Sequence, residues 1–246
     1  MKNLWNKVNA AKYKDDLGIR VYSSRLLGKN KSLVLHGGGN TSVKITETNL
    51  VGIEEEILYV KGSGWDLISI EKAGFSPVRM SHMLNLSKLN SLSDTQMVNE
   101  LKTQLTNATS PTPSVETILH AILPFKFVDH THADAVVTIS NTSNGEEIIR
   151  EIYGDRVVIV PYVMPGFDLA KEVGRLFSEM ASDETEGMVL LNHGIFSFGS
   201  TARKSYDRMI DLVNVAEQYL VSQNAWDSEK PLTSVKSKKI RNDVSK

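Results

Sequence analysis

The sequence predicts one α/β domain, with some α+β character, in which helices flank a central mixed or antiparallel β-sheet. Three observations predict this class. Short β-branched segments alternate with amphipathic helical segments, glycine-rich turns follow the first strand-like segments, and 246 residues with 41% hydrophobic and 23% charged residues are typical of a globular protein. We place the domain at residues 1–226 and assign residues 227–246, which lack apolar periodicity and carry mostly basic charges, to a polar basic tail or linker.

Helices are predicted where apolar residues recur at helical spacing. Ser93 and Gln96 form a capping-box pattern at the start of one helix, and a long apolar stripe marks the last helix. The predicted helical segments are residues 1–30, 94–105, 114–123, 133–139 (a short helix or turn), 146–152, 168–180 and 201–221.

Strands are predicted where short alternating or β-branched segments end at glycine or polar turns. The order of strand, glycine turn, strand and glycine turn near the start of the chain predicts antiparallel pairing. The predicted strands are residues 33–36, 41–46, 57–60, 127–132, 157–160, 188–191 and 195–198.

The composition excludes several classes of function. With 28 basic and 29 acidic residues the net charge is −1, so the chain as a whole has no electrostatic attraction to nucleic acid. The absence of cysteine excludes disulfides, thiolate metal sites and cysteine nucleophiles. No apolar run is long enough to span a membrane, and the first 13 residues lack the apolar core of a signal peptide. We therefore expect a cytoplasmic enzyme or binding protein without a nucleic-acid or membrane partner.

Three histidines form the strongest chemical pattern. His130 and His132 are two residues apart on a predicted strand, so their side chains point to the same face. Neutral imidazoles suit zinc and related metals, although two histidines at the polar end of a strand fit this pattern equally well. His193 precedes Gly194 in a separate turn between two strands. Three histidines with one open coordination position would form a catalytic rather than a structural zinc site.

Glu116 lies in the first turn of the helix that precedes the His130 strand. It is a candidate acid/base group if the connection returns its carboxylate to the histidines; taken alone, an acidic residue at a helix N-terminus is explained by the helix dipole. His120, four residues further on, fits three roles, a metal ligand, a partner of such a site or a packed core histidine, of which the last two are favoured. Asp134 fits two roles, an acceptor for the outer N–H of a metal-bound histidine or a helix cap.

Two glycine-rich turns form a candidate anion site. Gly37-Gly38-Gly39-Asn40 and Lys61-Gly62-Ser63-Gly64 each follow a predicted strand. Backbone N–H groups in such turns can bind phosphate, and Ser114 at the next helix N-terminus would add a hydroxyl. Each turn alone also fits an ordinary hairpin. Neither is a dinucleotide-binding fingerprint or a P-loop, because the required G-x-G-x-x-G and Gly-Lys-Ser/Thr sequences do not occur there.

Taken together, these segments resemble the class II aldolase/adducin family, and L-fuculose- and L-rhamnulose-1-phosphate aldolases in particular. The similarity covers about residues 33–221. Segments 61–67 and 130–134 look most like the aldolase part of bifunctional rhamnulose-1-phosphate aldolase/alcohol dehydrogenases. The matching motifs are Gly39-Asn40-Thr41-Ser42-Val43, Ser63-Gly64, Pro113-Ser114-Val115-Glu116 through His120, His130-Thr131-His132 and His193-Gly194.

The resemblance implies a role for each matched residue. It implies a zinc site, with manganese or cobalt as alternatives, formed by His130, His132 and His193. It implies Glu116 as the catalytic acid/base. It implies a phosphate-binding set that consists of Gly39, Asn40, Ser63, Gly64 and Ser114. The family resemblance also implies the class II aldolase fold and a homotetramer.

The activity that the resemblance implies is reversible, metal-dependent cleavage of a ketose 1-phosphate to dihydroxyacetone phosphate and a small aldehyde. A sugar-phosphate 4-epimerase or decarboxylase on the same scaffold is one alternative. A non-catalytic adducin-like binding module is another, against which the histidines and Glu116 argue. The chain has Val115 where sugar-phosphate aldolases often have a second serine, and it has no clear counterpart of their C-terminal tyrosine.

Overall fold

A seven-stranded sheet forms the centre of the protein in a computed structural model that describes residues 1–226. Its strands are β1 (Asn40–Thr48), β2 (Glu54–Lys61), β3 (Phe75–Arg79), β4 (Phe127–Thr131), β5 (Val157–Val160), β6 (Gly187–Leu190) and β7 (Gly194–Gly199). Their order is β3-β2-β1-β4-β7-β6-β5, and every neighbouring pair is antiparallel except β5 and β6, which are parallel. The sheet is therefore mixed, as predicted. The predicted tail at 227–246 lies outside the described residues.

Helices cover both faces of the sheet. They are α1 (Lys7–Ala10), α2 (Asp16–Gly28), α3 (Met80–Leu86), α4 (Asp94–Thr103), α5 (Thr117–Ile122), α6 (Asp134–Ser140), α7 (Gly145–Tyr153), α8 (Phe167–Met180) and α9 (Ala202–Ser222). Helices α2, α6, α7 and α9 share one apolar core with the sheet, and α3, α4, α5 and α8 share the other. Strand β5 shows the alternation behind this arrangement, since Val157 and Ile159 face the first core while Val158 and Val160 face the second. The predicted α/β class is confirmed.

The strand predicted at residues 33–36 is wrong. Leu33 and Val34 are buried, but the segment forms turns rather than a paired strand. His36 has a φ of 48°, a left-handed conformation that interrupts extended backbone. The short apolar run therefore indicates burial in the core and not strand pairing.

Three further elements differ from the prediction. Strand β3 and helix α3 were not predicted. Strand β3 contains Pro77, which cannot donate a ladder hydrogen bond and is tolerated because β3 is an edge strand. The first predicted helix is divided, since α1 ends at Ala10 and Asp15 caps a new helix by accepting the Gly18 N–H at 2.7 Å.

The antiparallel pairing of β1 and β2 is confirmed, but the glycine turns do not close this hairpin. Residues 49–53 connect the two strands, so residues 37–39 and 62–64 both lie at the open end of the hairpin. The end of β4 and the beginning of β7 lie at the same end of the sheet as the two glycine turns, because Asn40 pairs with His130 and Thr131 pairs with Ile195. Within residues 1–226, no helix combines the length and the apolar composition needed to cross a bilayer.

Candidate active site

Three histidines converge where β4 ends and β7 begins. His130 lies near the end of β4, His132 directly follows this strand, and His193 lies in the turn before β7. One ring nitrogen of each histidine lies within 4.8 Å of the other two. The Nε2 atoms of His130 and His132 are 3.1 Å apart, close to the separation of about 3.3 Å that two imidazoles have on one tetrahedral zinc ion. The structure therefore brings the three histidines together as the sequence predicts.

Gly194 leaves the space that the histidine rings need. A Cβ atom at this position would lie 2.4 Å from the carbonyl oxygen of Thr131, 3.1 Å from Cε1 of His130 and 3.2 Å from Cδ2 of His132. Non-bonded carbon atoms are ordinarily about 3.5–4.0 Å apart. Any side chain here would displace β4 or the rings, which gives the His-Gly sequence a steric reason.

The ring of His130 is fully buried and is oriented by two neighbours. Its Nδ1 lies 3.2 Å from the carbonyl oxygen of Ile195, and its face stacks on Phe196 with 4.1 Å between ring centroids. Because a carbonyl only accepts, Nδ1 carries the proton and Nε2 keeps a free lone pair. Burial, followed by the neighbouring imidazoles, lowers the pKa of His130 well below its usual value, so the ring is neutral. Asp134 does not supply this acceptor; it lies in the first turn of α6.

The carboxylate of Glu116 points to the histidines. Helix α5 begins at Thr117, three residues later than predicted, and Glu116 makes no capping hydrogen bond. Its Oε2 lies 3.6 Å from Nε2 of His130, and its Oε1 lies 3.6 Å from Nε2 of His193. Burial is the largest influence on Glu116 and raises its pKa to about 7. Burial also lowers the pKa of His193 to about 4, so these contacts are not ion pairs between charged groups at neutral pH.

Two buried polar atoms in this cluster have no hydrogen-bond partner among the described residues. They are Oε1 of Glu116 and Nδ1 of His193. Buried polar groups are nearly always hydrogen-bonded, so two unpartnered atoms beside three neutral imidazoles are typical of a ligand-binding site. Nitrogen donors with one carboxylate suit a divalent transition metal, whereas magnesium and calcium prefer oxygen donors. The residues present therefore fit a divalent cation such as zinc.

A set of buried hydrogen bonds anchors Glu116. The amide nitrogen Nδ2 of Asn40 donates to Oε2 of Glu116 at 2.6 Å and to Oγ of Ser114 at 3.1 Å. Nε2 of His120 is hydrogen-bonded to Oδ1 of Asn40, and Nδ1 of His120 lies 2.8 Å from Oγ of Ser42. His120 is thus both a core residue and a partner of the site, the two roles that its position on the helix favours.

The two glycine turns line one pocket of about 380 Å³ together with Glu116, His132 and His193. Gly39 has a φ of 65°, and a Cβ atom there would lie 2.8 Å from the carbonyl oxygen of His130, so this position requires glycine. The predicted phosphate-binding residues all line the pocket: Gly39, Asn40, Ser63, Gly64 and Ser114.

Lys61 is a charged residue of this pocket that the sequence reasoning did not identify as functional. It ends β2, is 5% exposed, and donates from Nζ to the carbonyl oxygen of Gly37 at 2.8 Å. Burial lowers the pKa of Lys61, and the charges of Asp66 and Glu116 oppose that effect. A lysine close to the wall of the pocket favours an anionic ligand. Its place directly before the second glycine turn is the pattern that could have identified it.

Sequence comparison gives two matches that agree in extent. The family model for the class II aldolase and adducin N-terminal domain matches residues 20–220. The chain is also 38% identical over 221 residues to the uncharacterized oxidoreductase YuxG of Bacillus subtilis, and the match covers 89% of this chain and 32% of that protein. The chain thus spans about a third of the length of this curated relative.

Solved structures share the fold. The N-terminal class II aldolase domain of a conserved protein from Thermoplasma acidophilum is 44% identical, with a TM-score of 0.82 over 89% of this chain and 99% of that one. A sugar-phosphate aldolase from Thermotoga maritima is 16% identical, with a TM-score of 0.59 over 86% of this chain and 95% of that one. An L-fuculose 1-phosphate aldolase is 13% identical, with a TM-score of 0.58 over 94% and 96%. The last two similarities concern the fold alone.

Proposed function

The chain belongs to the class II aldolase and adducin family, and on that premise we propose that it is a metal-dependent aldolase. The substrate is a ketose 1-phosphate of the rhamnulose or fuculose type, which is cleaved reversibly to dihydroxyacetone phosphate and a small aldehyde. One observation carries this proposal: three neutral imidazoles cluster beside a carboxylate with an unpartnered oxygen, at a pocket that His132, His193 and Glu116 line. The sugar-phosphate and L-fuculose 1-phosphate aldolases of the same fold support the choice of substrate class.

His130, His132 and His193 hold the cation in this proposal. Zinc is the first choice because imidazole nitrogen is a preferred ligand of zinc, and manganese and cobalt are the alternatives. The bound cation supplies Lewis-acid stabilisation of the negative charge that develops on the substrate. The hydrogen bond between His130 and the carbonyl oxygen of Ile195 leaves the lone pair of His130 on Nε2, the atom that lies 3.1 Å from Nε2 of His132.

Glu116 holds and moves the proton. During cleavage the hydroxyl at C4 of the substrate releases its proton to water, the C3–C4 bond breaks as the C4 carbonyl forms, and the electron pair left on C3 takes a proton from Glu116, which then regains one from water. In the direction of synthesis, ionised Glu116 removes that proton from C3 of dihydroxyacetone phosphate. A pKa of about 7 suits both directions, because the protonated and the ionised form are both populated at neutral pH.

The substrate phosphate binds at the wall of the pocket that the glycine turns form. Its binding residues in this proposal are Gly39, Asn40, Ser63, Gly64 and Ser114. Lys61 adds positive charge behind this wall. The two glycine turns are separated in sequence, but both lie at the open end of the β1–β2 hairpin.

Proton exchange into dihydroxyacetone phosphate tests the proposal without knowledge of the aldehyde. The zinc-loaded chain is incubated with this compound in D₂O, and loss of one C3 proton is followed by NMR. We expect stereospecific exchange by the wild type and none by Glu116→Gln, which retains zinc. Glu100→Gln is the matched control, since Glu100 is paired with His82 away from the pocket, and it should exchange normally. Undiminished exchange by E116Q, or none by the zinc-loaded wild type, would contradict the proposal.

Product analysis separates the alternative activities. A 4-epimerase would return an isomeric sugar phosphate, and a decarboxylase would release carbon dioxide, in both cases without dihydroxyacetone phosphate. An adducin-like binding module would retain no stoichiometric zinc. The three neutral imidazoles beside Glu116 favour an enzyme over a binding module.

A homotetramer is part of the same proposal. Leu50, Val51 and Ile53, at the closed end of the β1–β2 hairpin, are exposed apolar side chains in the single chain. A second copy would cover such an apolar group. Light scattering after size-exclusion chromatography should give the mass of four chains, and the mass of one chain would contradict this part of the proposal.

A further inference from the structure

Four buried side chains form one hydrogen-bonded series that ends on Glu116. Oγ of Ser42 lies 2.8 Å from Nδ1 of His120, Nε2 of His120 is bonded to Oδ1 of Asn40, and Nδ2 of Asn40 donates to Oε2 of Glu116 at 2.6 Å. Ser42 and His120 are fully buried, and Asn40 and Glu116 are 7% and 5% exposed. The series therefore connects the interior of β1 to the carboxylate with almost no solvent contact.

Donor and acceptor capacities give this series one direction when Glu116 is ionised. A carboxylate only accepts, so Asn40 must turn its amide nitrogen to Glu116 and its carbonyl oxygen to His120. Nε2 of His120 must then carry the ring hydrogen. Burial, together with two nearby positive charges, lowers the pKa of His120 to about 3, so the ring is neutral and its Nδ1 accepts from the hydroxyl of Ser42.

We propose that His120 and Ser42 are positioning residues that act through Asn40 to hold Oε2 of Glu116 in place and leave Oε1 to exchange the proton with the substrate. This inference deepens the proposed function and rests on the acid/base role of Glu116 there. Oε1 is the carboxylate oxygen without a partner among the described residues, and it lies 3.6 Å from Nε2 of His193. One oxygen is therefore held by a hydrogen bond, while the other has no hydrogen-bond partner among the described residues.

The side chain of Asn40 couples the orientation of the His120 ring to the position of the Glu116 carboxylate. One hydrogen of its amide goes to Oε2 of Glu116 and the other goes to Oγ of Ser114. Asn40 also belongs to the proposed phosphate-binding set, but its side chain keeps no free hydrogen for a phosphate oxygen, so in that set it would border the phosphate rather than donate to it from its amide. The orientation of the amide is thus set by its protein partners, and His120 determines which way it points.

Two substitutions of His120 separate positioning from packing. In His120→Gln the amide nitrogen can occupy the place of Nε2 and still donate to Asn40. The shorter side chain in His120→Asn reaches only the place of Nδ1, so it keeps a partner for Ser42 and loses the donor to Asn40. Both variants remove the same ring from its contact with Phe196, whose centroid is 5.6 Å away. Because asparagine is one methylene smaller than glutamine, a role in packing alone would appear as a lower Tm in H120N, and Tm is therefore measured beside the exchange rate.

The probe is proton exchange into dihydroxyacetone phosphate by the zinc-loaded chain. We expect H120Q to stay within about tenfold of the wild-type rate at saturating probe and H120N to fall by roughly 100-fold, since a displacement of about 1 Å can cost that much. Half-saturating probe concentration and zinc affinity should not change in either variant. His82→Gln, which alters a histidine outside the pocket, should exchange like the wild type. Equal losses in H120Q and H120N, or a loss confined to H120Q, would overturn the proposal.

A second measurement does not depend on turnover. A long-range ¹H–¹⁵N NMR spectrum of the zinc-loaded wild type should place the ring hydrogen of His120 on Nε2, and a hydrogen on Nδ1 would overturn the proposal even where a His120 variant does not fold. Ser42→Ala, a smaller change, should mix the two ring tautomers and slow exchange; no effect on either would remove Ser42 from the series. If the wild type shows no exchange, the proposed function is refuted. The tautomer of the His120 ring still tests separately how Glu116 is held.

Discussion

Replacing Gly194 with alanine inserts a methyl group between β4 and β7. The added Cβ would lie 2.4 Å from the carbonyl oxygen of Thr131, roughly 1 Å inside ordinary contact. Because Thr131 and Ile195 are paired across these strands, relief requires one strand to move, and a movement of β4 displaces His130 and His132. Overpacking of this kind lowers the free energy of unfolding by about 1–3 kcal/mol.

For a chain of this length, 1 kcal/mol corresponds to about 2–4 °C in Tm, so Gly194→Ala should lower Tm by roughly 2–12 °C. Zinc affinity should fall about 10- to 100-fold, as it does when the groups that orient metal ligands are disturbed. Calorimetry and competition with a chelator measure the two effects. Gly37→Ala is the matched control for stability, because nothing lies within 4 Å of its added Cβ. If G194A kept the Tm and zinc affinity of the wild type, the steric explanation of the His-Gly sequence would be wrong.

Two further predictions concern buried charge. Asp129→Asn leaves the fully buried guanidinium of Arg20 without its counter-charge and should lower the free energy of unfolding by about 3–5 kcal/mol in urea. Arg203→Met, which breaks an exposed pair, should change it by less than about 1 kcal/mol, and similar losses in both would refute this ranking. In metal-free protein the raised pKa of Glu116 means that the folded state keeps a proton which the unfolded state releases, so the contribution of Glu116 to stability should decline as pH rises from 4.5 to about 7, while the lowered pKa values of His120, His130 and His193 act in the opposite direction in both the wild type and E116Q. E116Q should remove this decline, and equal pH dependence in the wild type and E116Q would contradict the assignment.

The residues of the site were more predictable than the boundaries of the elements around it. His130 and His132 share a face because side chains alternate along a strand, and Gly194 is required because any Cβ would strike β4. The first reason depends on neighbouring residues and can be read from a short motif, whereas the second depends on the pairing of β4 with β7 and is visible only in the fold. Hydrophobicity alone misled at residues 33–36, where two buried side chains belong to a turn. Pro77 similarly argues against a strand at β3. It is tolerated there because β3 lies at the edge of the sheet, a position that depends on the order of all seven strands.

The connections behind Glu116 could not be predicted from one sequence. Asn40 is 76 residues from Glu116 and 80 residues from His120, and their hydrogen bonds depend on the packing of α5 against the hairpin. The position of Lys61 in the pocket likewise depends on the pairing of β1 with β2. A motif predicts which chemical groups are present, whereas the orientation of a buried amide depends on every partner that the fold brings to it.

Anomalous scattering at the zinc absorption edge, from crystals of the full chain grown with zinc, tests the central claim most directly. We predict one zinc ion per chain, bonded to ring nitrogens of His130, His132 and His193, with Glu116 beside it. A crystal saturated with zinc in which the three rings hold no ion, or hold it through none of these nitrogens, would contradict the claim that this pocket is a metal-dependent active site.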